Sequence, residues 1–210
     1  MSKNLVLVLD TETIGVSDPT VYDLGYVIYD LADGKVLVAR DYLTKEVYGQ
    51  TERMKTAYYA NKLPLYEERL ADGYCKKVKW SYILRQLKRD INKYKVDGLW
   101  AYNSGFDKRA IAKTCKELKV NHNPTADGIN DIWKGLTDPH ITESAAYQEF
   151  CRRNGYFTKH KKPRVRATAE IVFRFLTQDE DYQEQHTALE DSKIEAVILR
   201  KARALAMANA

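Results

Sequence analysis

The chain opens with an unbroken apolar run that ends in two acids. Residues 5–9 read Leu-Val-Leu-Val-Leu, and Asp10-Thr11-Glu12 follows directly. An uninterrupted Leu/Val run is typical of a strand buried on both faces, so it predicts a central strand over residues 5–10. Alternate side chains of an extended chain share a face, and Asp10 and Glu12 therefore point the same way. Taken alone, the pair also fits a polar strand end with Thr11 and Thr13 as turn formers.

The later pattern predicts two more strands, then alternating helix and strand, then helices. Two β-rich runs within 21–43 flank Asp33-Gly34, a dipeptide that favours a hairpin. A short strand at 98–102 precedes a helix with apolar positions at Ile111, Cys115 and Leu118. Further helices are predicted at 50–70, 78–95, 142–154, 168–177 and 187–206, and another strand at 125–133. This order predicts one α/β domain over residues 1–210, with a mixed sheet flanked by helices.

Composition narrows the class of protein. With 210 residues and 44% hydrophobic residues, the chain can bury the core of one domain. The N-terminal apolar run is shorter than a secretory signal core, and no run approaches a membrane span, so we expect a cytoplasmic protein with no membrane association. Three cysteines without a Cys-x-x-Cys pair predict reduced thiols. The net charge of +5 is compatible with a polyanionic partner.

Two more segments place acids where chain elements begin. Asp107 follows the strand at 98–102 and lies in the first turn of the next helix. Ser104 and Asp107 also fit a capping box, which would give the acid a structural role. Near the C-terminus, Thr187 and Glu190 form a capping signature that predicts a helix beginning at Thr187. With this helix start, His186 lies just outside the helix and Asp191 lies in its first turn. The two side chains can therefore point toward the same site.

Another histidine has the same spacing from an acid. His122 and Asp127 are also five residues apart, but Pro124 lies between them and no capped helix follows. We interpret His122 as a loop residue. His140 and His160 have no acid at this spacing. Asp127 and Asp131 are interpreted as loop and helix-entry acids.

Together these segments resemble the three motifs of the DEDDh family of 3′–5′ exonucleases. The matching residues are Asp10-Thr11-Glu12-Thr13-x-Gly15, Asn103-x-x-Phe106-Asp107 and His186-x-Ala188-Leu189-x-Asp191. The resemblance implies a ribonuclease-H-like fold, with a five-stranded mixed sheet in the order 3-2-1-4-5 and helices on both faces. The subgroup that uses tyrosine instead of histidine would need it where Thr187 stands.

The resemblance also implies roles for the matched residues. Asp10, Glu12 and Asp191 would hold the first of two Mg²⁺ or Mn²⁺ ions, Asp10 and Asp107 the second, and His186 would be the general base. Two cations suit phosphodiester hydrolysis because they offset charge repulsion and activate water. Carboxylates are the hard oxygen ligands that Mg²⁺ prefers. Tyr102 replaces a common histidine and Ile14 a common Thr or Gly, which affects substrate preference rather than metal binding.

Substrate contacts are expected beside these residues. By resemblance, Thr13 would contact the terminal sugar, Ile14 and Phe106 would flank the last bases, and Asn103 lies in the same segment. Phe106 fits a core position equally well. The densest basic run, 159–166, includes Lys161, Lys162 and Arg164 and either guides the phosphate backbone or forms a solvated loop.

The sequence thus predicts an exonuclease that releases nucleoside 5′-monophosphates from 3′ ends, mainly of single-stranded DNA. RNA is the alternative substrate, and a polymerase or another replication protein is a candidate partner. A catalytically silent nucleic-acid-binding module is the alternative function. A lost ligand would mark such a module, and all five catalytic-type residues are present. A non-nucleic-acid α/β protein with coincidental acids ranks last, and oligomeric state is left open.

Overall fold

A six-stranded mixed sheet forms the centre of the fold in the computed structural model, which describes residues 4–57 and 60–208. The strands are β1 (Leu5–Ile14), β2 (Thr20–Asp30), β3 (Lys35–Thr44), β4 (Lys76–Val78), β5 (Leu99–Ala101) and β6 (Asn130–Asp131). Their spatial order is β4-β3-β2-β1-β5-β6. β1 pairs antiparallel with β2 and parallel with β5. Five strands therefore have the expected order, and β4 adds an edge strand that the sequence pattern did not predict.

Helices cover both faces of the sheet. They are α1 (Lys45–Tyr48), α2 (Thr51–Met54), α3 (Leu63–Ala71), α4 (Trp80–Tyr94), α5 (Ser104–Glu117), α6 (Ala145–Asn154), α7 (Ala169–Thr177) and α8 (Ala188–Ala208). A 3₁₀ turn (Ala60–Lys62) and a π-helix (Trp133–Thr142) complete the described elements. Val6 and Val8 pack with α6, α7 and α8, whereas Leu7 and Leu9 pack with α4 and α5. β1 is therefore buried on both faces, as predicted.

Several predicted boundaries are wrong. β1 continues to Ile14 instead of ending at Asp10, so Glu12 lies within the strand rather than after it. The single helix expected over 50–70 is instead α2, the 3₁₀ turn and α3, with Pro64 in the first turn of α3. Residues 58 and 59 of that prediction lie outside the described residues. The strand expected at 125–133 shrinks to β6, and the π-helix precedes α6 where no helix was predicted.

Candidate metal centre and active site

Strand β1 and helix α8 bring three carboxylates together. The alternation that turns Val6 and Val8 toward α8 continues along β1 and places Asp10 and Glu12 on the same face. Asp191 lies in the first turn of α8. Each of the three residues offers a carboxylate oxygen within 4.8 Å of the others. The strand period thus places two acids close together, and the last helix supplies the third carboxylate.

The start of α8 is held against β2 by close packing. Gly25 is the partner of Asp10 in the sheet, and a Cβ atom on Gly25 would lie 2.1 Å from the Leu189 nitrogen. Only glycine therefore permits this approach. The Ala188 N–H donates to Asp23 Oδ2 at 3.0 Å. Both contacts fix the position along β1 at which the side chain of Asp191 lies.

The predicted capping box of α8 is not formed. The helix begins at Ala188, and Thr187 Oγ1 is buried without a hydrogen-bond partner among the described residues. Glu190 instead accepts from Lys193 Nζ at 2.9 Å. The cap is Asp23, which comes from β2 and is 165 residues distant in sequence. His186 still lies just before the helix, as predicted, with a left-handed φ of 53°.

Asp107 joins the site from α5. Its Oδ1 accepts the Thr11 hydroxyl at 2.7 Å, so it reaches across to β1. Ser104, the other half of the alternative capping box, donates to Asp131 Oδ2 at 3.3 Å. Burial raises the pKa of Asp107 to about 7, although the bond from Thr11 opposes the shift. Asp107 therefore lies near Asp10 and helps to raise its pKa, but it is outside the group of three acids whose oxygens converge within 4.8 Å.

The electrostatics of these acids favour bound cations. Burial raises the pKa of Glu12 to about 10 and that of Asp191 to about 8, and neighbouring acids add to both shifts. The pKa of Asp10 is also raised well above its usual value, chiefly by burial. Within residues 4–57 and 60–208, no Lys or Arg forms an ion pair with them. Asp191 Oδ1 is buried without a hydrogen-bond partner in that part of the chain. This oxygen-rich donor set fits hard divalent ions such as Mg²⁺ and Mn²⁺.

A fifth buried carboxylate was missed by the sequence analysis. Glu195 is 3% exposed and accepts the Tyr102 N–H at 3.1 Å. Among charged neighbours, it contributes most to the raised pKa of Asp10. Its signal in the sequence was the spacing from Asp191, because residues four apart share a helix face.

His186 has a further acidic neighbour that was also missed. Glu184 Oε2 lies 3.5 Å from His186 Nδ1. Burial raises the pKa of Glu184 to about 7, with a further contribution from Glu170. Burial lowers the pKa of His186, and Lys62 acts in the same direction. The imidazole is therefore biased toward its neutral form, which can accept a proton.

The predicted substrate residues occupy varied environments. Thr13 donates to the Gly15 carbonyl at 2.9 Å, and Ile14 is 7% exposed and packs in a hydrophobic cluster with Tyr22. Asn103 is exposed, with a φ of 62°. Phe106 is partly buried, and the Arg109 guanidinium lies 5.9 Å from its ring centroid. Their contacts with substrate stay predictions.

The basic run and the histidine outside the motifs lie in other parts of the fold. Lys161, Lys162 and Arg164 are exposed and belong to a short hairpin between α6 and α7. His122 lies in the loop between α5 and β6, as predicted.

Solved structures share this arrangement of strands and helices. The nuclease domain of 3'hExo, described as a DEDDh family member bound to rAMP, aligns with a TM-score of 0.55 and 12% identity, over 95% of this chain and 92% of that one. The chain has the fold of the DEDDh 3′-exonucleases. A 3′-exonuclease described in 3′-end recognition of a histone mRNA stem-loop aligns with a TM-score of 0.64 and 12% identity, over 96% of this chain. Cell-death related nuclease 4 (CRN-4) aligns with a TM-score of 0.55 and 13% identity, over 98%.

The DEDDh fold is therefore established by structure rather than by sequence similarity. The chain spans 64% of the length of each of the last two chains. No family model and no curated protein matches the sequence. No helix in the described ranges combines the length and apolar character needed to cross a bilayer.

Proposed function

We propose that this protein is a metal-dependent 3′–5′ exonuclease that releases nucleoside 5′-monophosphates, mainly from single-stranded DNA. The observation that carries the proposal is the convergence of Asp10, Glu12 and Asp191 within 4.8 Å, on the fold of the DEDDh exonucleases. Asp107 and His186 occupy the positions at which that family has its remaining motif residues.

The metal-binding roles are those that the family resemblance implies, and the convergence of Asp10, Glu12 and Asp191 supports the first ion. Asp10, Glu12 and Asp191 hold one divalent ion, and Asp10 and Asp107 hold a second. Bound Mg²⁺ or Mn²⁺ would offset the negative charge of the phosphodiester and lower the pKa of the attacking water. Mutual repulsion of the buried acids favours this occupancy, since it raises their affinity for cations as well as for protons.

His186 takes the proton from the attacking water. Because its Nδ1 faces Glu184 at 3.5 Å, we assign proton transfer to Nε2. The lowered pKa keeps the imidazole neutral at pH 7, the form that a general base requires.

Stepwise shortening of a 5′-labelled single strand tests the proposal. With Mg²⁺ or Mn²⁺ the wild-type protein should give a ladder of shorter products, and EDTA should stop it. His186→Ala should lose this activity while its metal affinity changes little, whereas the matched control His122→Ala should remain active. A strand that stays intact with either metal contradicts the proposal, and an inactive His122→Ala variant contradicts the choice of base.

RNA is a second candidate substrate. It is favoured by two solved structures of similar fold, one with rAMP and one described with a histone mRNA stem-loop. Digestion of matched DNA and RNA strands, under identical metal and salt conditions, distinguishes the two. A polymerase or replication partner and a cytoplasmic location stay predictions from the sequence.

A further inference from the structure

A large cavity in the described part of the chain lies beside the acids proposed to bind metal rather than among them. Its volume is about 960 Å³, and we call it the hairpin cleft. Its walls include Tyr102, Asn103, Trp133, Phe157, Arg164 and Arg166. Asn103 precedes α5, whose first turn carries Asp107, so one end of the cleft begins next to the metal-binding acids.

A rigid hairpin forms one wall of this cleft. Phe157 and Val165 pair as an antiparallel bridge, and the Thr158 N–H donates to the Arg164 carbonyl at 2.9 Å. The Tyr147 hydroxyl donates to the Arg166 carbonyl at 2.7 Å. The Tyr102 hydroxyl donates to the carbonyl of the next residue, 167, at 2.7 Å. The backbone that carries both arginines is therefore fixed to the body of the domain.

The cleft and its rim are basic. Arg164 and Arg166 are exposed in the cleft, and the hairpin tip adds Lys159, Lys161 and Lys162, which are exposed as well. None of these five forms an ion pair within residues 4–57 and 60–208. The cleft wall also carries two acids: Glu143, which is exposed, and Asp138, whose Oδ1 accepts from Trp133 Nε1 at 2.8 Å. Unpaired cations on a fixed frame favour a polyanionic ligand.

Aromatic rings line the same cleft. The rings of Tyr102 and Trp133 are almost parallel, with an interplanar angle of 9°. Phe157 is 37% exposed at the hairpin wall. Aromatic faces interleaved with cations are typical of single-strand binding grooves, where bases stack and phosphates pair with basic side chains.

We propose that the hairpin cleft binds the single-stranded segment on the 5′ side of the nucleotide being removed. Bases stack on Trp133 and Phe157, and Arg164 and Arg166 contact the phosphates between them. The inference rests on the proposed exonuclease function for the direction of the strand. The binding itself is independent of cleavage, since the cleft lies outside the metal-binding acids.

Binding of fluorescein-labelled oligonucleotides in EDTA tests the cleft without cleavage. The probes are dT2, dT8 and U8. Wild-type protein should bind the eight-residue strands more tightly than dT2. Arg164→Ala/Arg166→Ala should weaken octamer binding about tenfold and reduce the salt slope by about 1.4, the value expected for two lost phosphate contacts on a single strand. Phe157→Leu keeps apolar packing but loses the aromatic face, and should cost about fivefold or more. Comparison of dT8 with U8 then shows which sugar the cleft prefers.

A control variant and a competitor separate this site from general charge attraction. Lys88→Ala/Arg89→Ala removes two exposed cations from α4, and should leave octamer affinity unchanged. Wild-type affinity in both cleft variants overturns the proposal, as does an equal loss in the α4 control. Displacement of dT8 by an octaglutamate peptide as effectively as by unlabelled dT8 also overturns it, in favour of an acidic protein ligand. Octamer binding by a protein that cleaves no strand would support the cleft as a binding site and refute the exonuclease function.

Discussion

Two clusters of buried acids lie close together in this fold, and they differ in what neutralises them. In the first, Asp23 and Asp41 are 0% and 3% exposed. Asp23 Oδ2 accepts the Tyr66 hydroxyl at 2.7 Å and the Ala188 N–H at 3.0 Å. Asp41 Oδ2 accepts from Arg69 Nη2 at 2.7 Å. The protein itself supplies the positive charge, although Oδ1 of each acid is buried without a hydrogen-bond partner among the described residues.

The second cluster contains the acids proposed to bind metal, Asp10, Glu12, Asp107 and Asp191. An unpartnered buried oxygen does not distinguish it, because Asp191 Oδ1 has no hydrogen-bond partner among the described residues, as in the first cluster. In the described part of the chain, however, no Lys or Arg forms an ion pair with any of these four acids. Asp107 and Asp191 are as buried as Asp41, so burial alone does not distinguish the two clusters. The distinguishing property is whether the protein supplies a cation, and we call the first cluster complete and the second incomplete for that reason. An incomplete cluster of acids stores repulsion that bound cations remove.

The largest expected effect is loss of cleavage when an acid of the incomplete cluster is neutralised. Asp10→Asn should lower the rate of strand shortening by at least about 1,000-fold, since a bound cation contributes several kcal/mol to such reactions. Without metal, the variant should be at least as stable as wild type because one repulsive charge is gone. Activity and thermal unfolding of the same preparation check both parts. Wild-type activity would mean that cleavage needs no metal ligand at Asp10, and a variant that fails to fold would mean that Asp10 is structural.

The complete cluster should respond in the opposite way. Arg69→Met leaves Asp41 buried without its cation, and should cost about 3 kcal/mol of unfolding free energy at pH 8. Lys55→Met, which breaks an exposed pair with Glu52, should cost less than about 0.5 kcal/mol. Urea unfolding measures both. Equal effects would show that burial of the Arg69 pair is unimportant.

Local pattern predicted three acids that the structure brings together, Asp10, Glu12 and Asp191, and long-range contacts decided how they are held. The roles of all the predicted site residues stay predictions. The strand period placed Asp10 and Glu12 on one face, and the motif segments supplied Asp107, His186 and Asp191. The cap of α8 was mispredicted because Asp23, 165 residues away, competes with the local Thr187 hydroxyl for the helix start.

Two neighbours of the site were missed for a related reason. Glu195 and Glu184 belong to no motif, and their burial becomes apparent only when α8 packs on β1 and on the segment before it. The hairpin cleft was also missed because it depends on long-range contacts. The basic run was visible in the sequence, but the bridge between Phe157 and Val165 and the rings beside it were not.

Burial raises the pKa of acids in both clusters, so both should make stability depend on pH, but only the incomplete cluster should make it depend on metal. The pKa values of Asp107 and Asp191 are raised from 3.8 to about 7 and about 8. The folded state therefore binds more protons than the unfolded state in this window, so metal-free stability should fall as pH rises from about 4 to 8. At pH 8, Mg²⁺ at 100 times its Kd should restore about 2.7 kcal/mol, or a Tm increase of about 5–10 °C.

The matched comparison for this effect is the Asp10→Asn variant. It should unfold at a higher temperature than metal-free wild type at pH 8 and gain little from Mg²⁺. Arg69→Met should keep the full Mg²⁺ increment, because its cluster binds no metal. A wild-type Tm that is indifferent to Mg²⁺ at pH 8 would show that the acids on β1 and α8 do not form a cation site.

The smallest expected effect concerns the acid beside the general base. Glu184→Ala removes the carboxylate that faces His186 Nδ1, so the ring loses one constraint on its orientation, and kcat should fall about tenfold with little change in KM. Glu184→Gln, which keeps an oxygen toward Nδ1, should recover most of the rate. If both variants merely unfold more easily and keep the wild-type kcat, Glu184 supports the segment before α8 and has no part in positioning the base.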